Sequence, residues 1–130
     1  MSADSTMPIL VVDDYQTMVR IICNLLKQIG YENVDTASNG AQALERIAEK
    51  QYGLIISDWN MQPMTGFELL VKLKADTATA DIPFIMVTAE SKTDNVIAAR
   101  KAGVSSYIVK PFNAATLKAK IDAVFTARAA

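Results

Sequence analysis

The chain contains no histidine and a single cysteine, Cys23. Without histidine there is no Ser-His-Asp or Cys-His nucleophile set, and the imidazole that most zinc and transition-metal sites rely on is missing. Cys23 stands inside an apolar helical pattern and reads as core. What is left is hard oxygen ligands, which suit magnesium or calcium. No apolar run approaches the ~20 residues of a membrane span. Residues 1–7 have neither a basic start nor an apolar centre, which points to a soluble, cytoplasmic chain. Nor is there a surplus of either charge: 13 basic residues face 14 acidic ones. The basic residues are scattered, so nucleic acid is not the expected partner.

What is present is apolar: 51% of 130 residues, enough to bury the core of one domain without disulfides or structural metal. Leu54-Ile55-Ile56-Ser57-Asp58 dominates the pattern. It is too short for a helix, it follows Gly53, and it ends abruptly on a carboxylate, as a strand buried on both faces does. Ile9 to Val12 repeats the construction, within a strand Pro8 to Val12 that runs into Asp13-Asp14. Two inner strands thus deliver three carboxylates to one edge.

Five strand-helix alternations follow without linker or repeat. Helix one, Gln16 to Ile29, carries Met18, Ile22, Leu25, Leu26 and Ile29 and stops at Gly30. Strand two, Asn33 to Ala37, mixes Asp35 and Thr36 with Val34 and belongs at an edge. Helix two begins after Ser38-Asn39-Gly40, with Ala43, Leu44, Ile47 and Ala48 apolar. Helix three follows the 59–66 loop with Phe67, Leu70, Val71 and Leu73 as its apolar positions. Strand four spans Ile82 to Val87 before Thr88-Ala89-Glu90. Helix four, Thr93 to Ala102, offers only Val96, Ile97 and alanines for burial and should be loosely docked. Strand five, Ser106 to Val109, runs into Lys110-Pro111, and helix five covers Ala114 to Ala127.

This alternation predicts an α/β fold: a flavodoxin-like (βα)5 sandwich with a parallel five-stranded sheet in the order 2-1-3-4-5 and helices on both faces. The switch point falls between strands one and three, with Asp13, Asp14 and Asp58 beside it. Carboxylates ~4 Å apart repel by about 4 kcal/mol at an effective dielectric of ~20, so such a group calls for a cation or a proton. Lys110 and Thr88 arrive at the same edge from strands five and four. A cation, an ammonium, a hydroxyl and an acceptor carboxylate together suit phosphoryl transfer. Singly, Asp13 or Asp14 reads equally as a helix cap, Thr88 as a turn cap and Lys110 as a solvated side chain. Four strands ending in suitable groups on one edge by coincidence is a far weaker alternative.

These residues resemble the receiver domain of bacterial two-component response regulators. The set is Asp13-Asp14, Asp58-Trp59-Asn60-Met61, Thr88-Ala89-Glu90 and Tyr107 with Lys110-Pro111-Phe112-Asn113-Ala114, and the likeness is greatest to stand-alone chemotaxis regulators. It implies a single receiver domain over residues 1–130, with 1–6 a flexible N-terminal segment. It further implies that Asp58 is the phosphoacceptor for a sensor histidine kinase of the chemotaxis type. Magnesium would be bound by Asp14, Asp58 and the main-chain carbonyl of Asn60, with Asp13 helping through water. Lys110 would pair with the phosphate, Thr88 would bond a phosphate oxygen, and Tyr107 would move between outward and inward positions. Asn60 and Glu90 would border the phosphate. The Lys110-Pro111 bond is a candidate cis peptide. The output would be a protein partner such as the flagellar motor switch, bound by a monomer through helix four, strand five and helix five. A phosphate sink, a receiver in another pathway and a magnesium phosphohydrolase using Asp58 as nucleophile are the alternatives. One departure stands out: Gln62 occupies the place where receivers usually have proline, and Pro63 comes one residue late. Thr65 replaces a frequent acidic residue, so the loop after Asp58 is expected to follow its own path.

Overall fold

The computed structural model describes residues 5–89 and 93–129. Five strands, β1 (Ile9–Val12), β2 (Val34–Ala37), β3 (Leu54–Asp58), β4 (Phe84–Thr88) and β5 (Ser106–Val109), form one parallel sheet in the order β2-β1-β3-β4-β5. Between and after them run α1 (Gln16–Gln28), α2 (Gly40–Glu49), α3 (Gly66–Ala75), α4 (Thr93–Lys101) and α5 (Ala114–Ala129). The expected topology is the observed one.

Strands β1, β3 and β4 are buried throughout because both faces of the sheet are covered. Ile9, Val11, Leu54, Ile56, Ile85 and Val87 pack on Ile22 and Leu26 of α1 and on Leu117, Ile121 and Val124 of α5. The alternate residues Leu10, Val12, Ile55, Phe84 and Met86 meet Ala43 of α2 and Leu69, Leu70 and Leu73 of α3. Each fully buried Ile or Leu contributes roughly 1.5–3 kcal/mol, so these two layers hold the strand ends in place. Cys23 is half-buried against the first layer.

Local signals set the element boundaries. Helix α1 ends where Gly30 takes a positive φ of 103° and Tyr31 donates its N–H back to the Leu26 carbonyl at 2.9 Å. Asn39 caps α2 by accepting from Gln42 N at 2.8 Å, and Gln42 Oε1 accepts from Ser38 N. Strand β2 lies at the sheet edge, as its polarity requires. Arg46 Nε donates to its Thr36 carbonyl at 2.9 Å, and Lys50 pairs with Asp35 at 3.0 Å. At the other end of the chain's described residues, the Thr6 carbonyl accepts from Asn33 Nδ2 at 3.2 Å.

Three expectations need correction. Strand β4 starts at Phe84 rather than Ile82, because Ile82 N turns back to the Thr79 carbonyl and Pro83 has no N–H to give a ladder. It also runs on through Thr88. In α3 the buried stripe is Gly66, Leu69, Leu70 and Leu73, and Val71 is 45% exposed. In α4 the residue that sinks into the core is Ala99, whereas Ile97 is 45% exposed.

Candidate functional site

Register assembles the site. Val12 pairs with Ser57, so the next residues, Asp13 and Asp58, emerge side by side. Asp58 pairs with Val87, which puts Thr88 one step beyond it; Thr88 pairs with Val109, which puts Lys110 one step further. Main-chain bonds fix these ends: Asp13 N to the Ala37 carbonyl at 3.1 Å, Trp59 N to Val87 at 2.9 Å, and Lys110 N to Thr88 at 2.7 Å. Four strands thereby deliver Asp13, Asp58, Thr88 and Lys110 to one edge of the sheet, at the switch point between β1 and β3.

Lys110 Nζ lies 2.8 Å from Asp58 Oδ1 and 3.8 Å from Asp13 Oδ2. Asp13, Asp14 and Asp58 each offer an oxygen, and the three oxygens lie within 4.8 Å of one another. Asp14 is exposed while Asp13 and Asp58 are buried. Among the described residues, the Lys110 ammonium pairs with two of these three carboxylates, Asp58 and Asp13. Asp13 Oδ1 accepts from Tyr15 N at 3.0 Å, but Oδ2 is buried with no hydrogen-bond donor among the described residues. Burial pushes the Asp13 carboxyl up to about 6, the Tyr15 N–H pulls it down, and the neighbouring Asp58 charge raises it again. A buried oxygen without a donor, inside an all-oxygen donor set, is what a hard divalent cation fits. The acidic cluster could hold such an ion.

Thr88 is fully buried at the end of β4. Tyr107 is half-buried on β5, its ring edge-on to Trp59 at 6.3 Å. Asn60 is exposed and lines an open cleft with Asp14, Met61, Gln62, Pro63 and Thr65. The Lys110-Pro111 bond is cis, as expected, and so is Gln62-Pro63. Glu90 lies outside the described residues.

Sequence reasoning passed over three features that hold the loop after Asp58. Gly66 packs against the Asp58 carbonyl, where a Cβ would overlap the oxygen, and its N–H donates to the Trp59 carbonyl at 2.9 Å. Thr65 and Glu68 form a reciprocal capping box, each bond 3.1 Å, so Thr65 has a structural task of its own. The spacing Thr-x-x-Glu before an apolar run was the available signal. Phe67 stacks on Trp59 at 5.3 Å, a contact that no sequence pattern announces.

The family model for the response regulator receiver domain matches residues 9–122. The chain belongs to that family. Among similar proteins, chemotaxis protein CheY-3 of Vibrio cholerae is 44% identical over 122 residues, 94% of each chain. Chemotaxis protein CheY of Pseudomonas aeruginosa is 46% identical over 119 residues, 92% of this chain and 96% of that one. Solved structures agree: Vibrio cholerae CheY4 superposes with a TM-score of 0.85 at 32% identity, covering 92% of this receiver and 98% of that chain. A putative response regulator from Chloroflexus aurantiacus gives 0.87 at 27% identity, covering 93% and 98%. No helix of this receiver is long and apolar enough to cross a membrane among the described residues.

Proposed function

We propose that this receiver, a single domain over residues 1–130, is a phosphorylation-controlled binding module of chemotaxis, with Asp58 as phosphoacceptor. The observation that carries the proposal is the 2.8 Å pairing of Lys110 with Asp58 beside the Asp13-Asp14 pair, on the same edge as Thr88. A carboxylate oxygen of Asp58 attacks the phosphorus of a phosphohistidine on a CheA-like sensor kinase. The P–N bond breaks as the O–P bond forms, its electron pair returns to the departing imidazole nitrogen, and that nitrogen takes a proton from solvent. Asp14, Asp58 and the Asn60 main-chain carbonyl, with Asp13 through water, would hold Mg2+, whose charge offsets that of the phosphoryl oxygens. Lys110, already at the carboxylate, moves its ammonium to the new dianion. Thr88 donates its hydroxyl to a phosphoryl oxygen, which draws the end of β4 toward the pocket and gives Tyr107 a different space to occupy.

The surface that changes is α4, β5 and α5, where exposed Ile97 and Val109 supply apolar contact for a protein such as the flagellar motor switch. On this proposal the protein works in the cytoplasm as a monomer, and its catalysis is confined to its own phosphorylation and dephosphorylation.

Incubation with magnesium and phosphoramidate tests it. Stoichiometric labelling that Asp58→Asn abolishes is expected. Multiple turnover of unrelated phosphoesters would instead mark a phosphohydrolase. Phosphotransfer profiling against histidine kinases identifies the donor, and a pull-down with and without phosphorylation separates motor control from a phosphate sink or another pathway.

A further inference from the structure

Trp59 follows the proposed phosphoacceptor directly, and both its main chain and its ring are engaged. Its N–H is tied to the Val87 carbonyl of β4 and its own carbonyl accepts from Gly66 N of α3, both at 2.9 Å. Its ring is held from two sides. Phe67 stacks on it at 5.3 Å with the planes 24° apart, and Tyr107 meets it edge-on at 6.3 Å and 67°. Both are geometries that aromatic pairs favour. With its backbone pinned at two points, the indole cannot follow a shift at Asp58 by sliding; it can only turn against its two neighbours. Phe67 is the second residue of α3, and the Thr65-Glu68 capping box and the Gly66 contact fix its backbone. The Phe67 ring is therefore the firm wall, and Tyr107 on the short outer strand β5 is the side that yields.

We infer that Phe67 is a positioning residue of the switch: by holding Trp59 against Tyr107, it lets a change at Asp58 reach β5 through the indole as well as through Thr88. The inference rests on Asp58 being the phosphoacceptor. It assigns the α3 side of the pocket a part in signal transmission, where the Thr88 route involves only β4 and β5.

Trp59 is the only tryptophan of the chain, so its emission reads this contact directly. The full-length protein is treated with magnesium chloride and phosphoramidate, the labelled fraction is taken from the intact mass, and Trp59 emission is recorded in the same samples. Wild type should change its emission on labelling. Phe67→Leu should label to the same extent yet show less than half that change, and Phe67→Tyr, which keeps the ring, should restore it. Tyr107→Ala should also shrink the change, and the double variant should lose no more than the larger single loss. If Phe67→Leu does not fold, Phe67→Met takes its place. A full-sized emission change in labelled Phe67→Leu, additive losses in the double variant, or wild-type emission indifferent to labelling each overturns the relay. Absence of Asp58 labelling in wild type is a different failure, seen in the mass alone, and removes the phosphoacceptor assignment together with the relay.

Discussion

Gly66 stands so close to the carbonyl of Asp58 that no side chain fits between them. The start of α3 is thus pressed onto the main chain of the residue at the centre of the pocket. Gly66→Ala forces backbone against backbone, which rotamer changes cannot relieve. A loss of about 3 kcal/mol in urea unfolding is expected, at the upper end of overpacking costs. Phosphoramidate labelling of Asp58 should slow as well, since the carboxylate is displaced.

Asp13 makes metal-free stability depend on pH. Its folded-state value of about 6 lies above the ordinary 3.8. The neutral form is therefore favoured by folding, and its contribution is complete below pH 3.8 and lost as pH rises through about 6. Asp13→Asn keeps an acceptor for Tyr15 N–H and removes the buried charge. It should raise metal-free stability at pH 8 by on the order of 2 kcal/mol and flatten the melting temperature between pH 4 and 7.

Magnesium should act in the opposite sense, because it binds the ionised carboxylates. Thermal melts with and without magnesium should show a larger rise in Tm at pH 8 than at pH 5. Asp13→Asn and Asp58→Asn should both weaken that rise. An equal rise at both pH values would contradict an acidic-cluster site.

Lys110→Ala should leave the sheet intact, since its ammonium sits at the rim rather than in either apolar layer. It should nevertheless abolish the difference in partner affinity between phosphorylated and unphosphorylated protein. Calorimetric titration of the partner against both forms decides this, and an unchanged difference would count against the role given to Lys110.

Away from the pocket, Tyr52 donates its hydroxyl to Asp35 at 2.7 Å, and this bond, followed by Lys50, holds the Asp35 carboxyl below its ordinary range. A lowered carboxyl stabilises above its unfolded pKa, and that stability fades as pH falls through the folded value. Tyr52→Phe should cost about 1 kcal/mol at neutral pH, discounted because Asp35 is partly exposed, and progressively less below pH 4.

The strand order and the acidic edge were legible because two-sided burial leaves a plain mark: apolar runs that stop on polar residues. Register then does the rest, since a parallel ladder puts the residues after Val12, Ser57, Val87 and Val109 at one rim. Helix faces were less legible where apolar residues are contiguous. Leu69-Leu70-Val71 supports two stripes, and only the position of the sheet selects Leu69 over Val71. Ala99 sinks in α4 because it is small, a property that hydropathy alone ranks below Ile97. The approach of Gly66 to Asp58 and the Trp59-Phe67 stack bring together groups that are close in sequence but meet only once the loop has folded, so periodicity carries no trace of them.

The short strand β2 has its Thr36 carbonyl occupied by Arg46 and its Asp35 occupied by Lys50 and Tyr52. An incoming strand from another molecule would have to evict Arg46 from the Thr36 carbonyl before it could add to the ladder. At high protein concentration such molecules can crowd together without this edge offering a free carbonyl at Thr36, and encounters between them are left to the side chains of their helices.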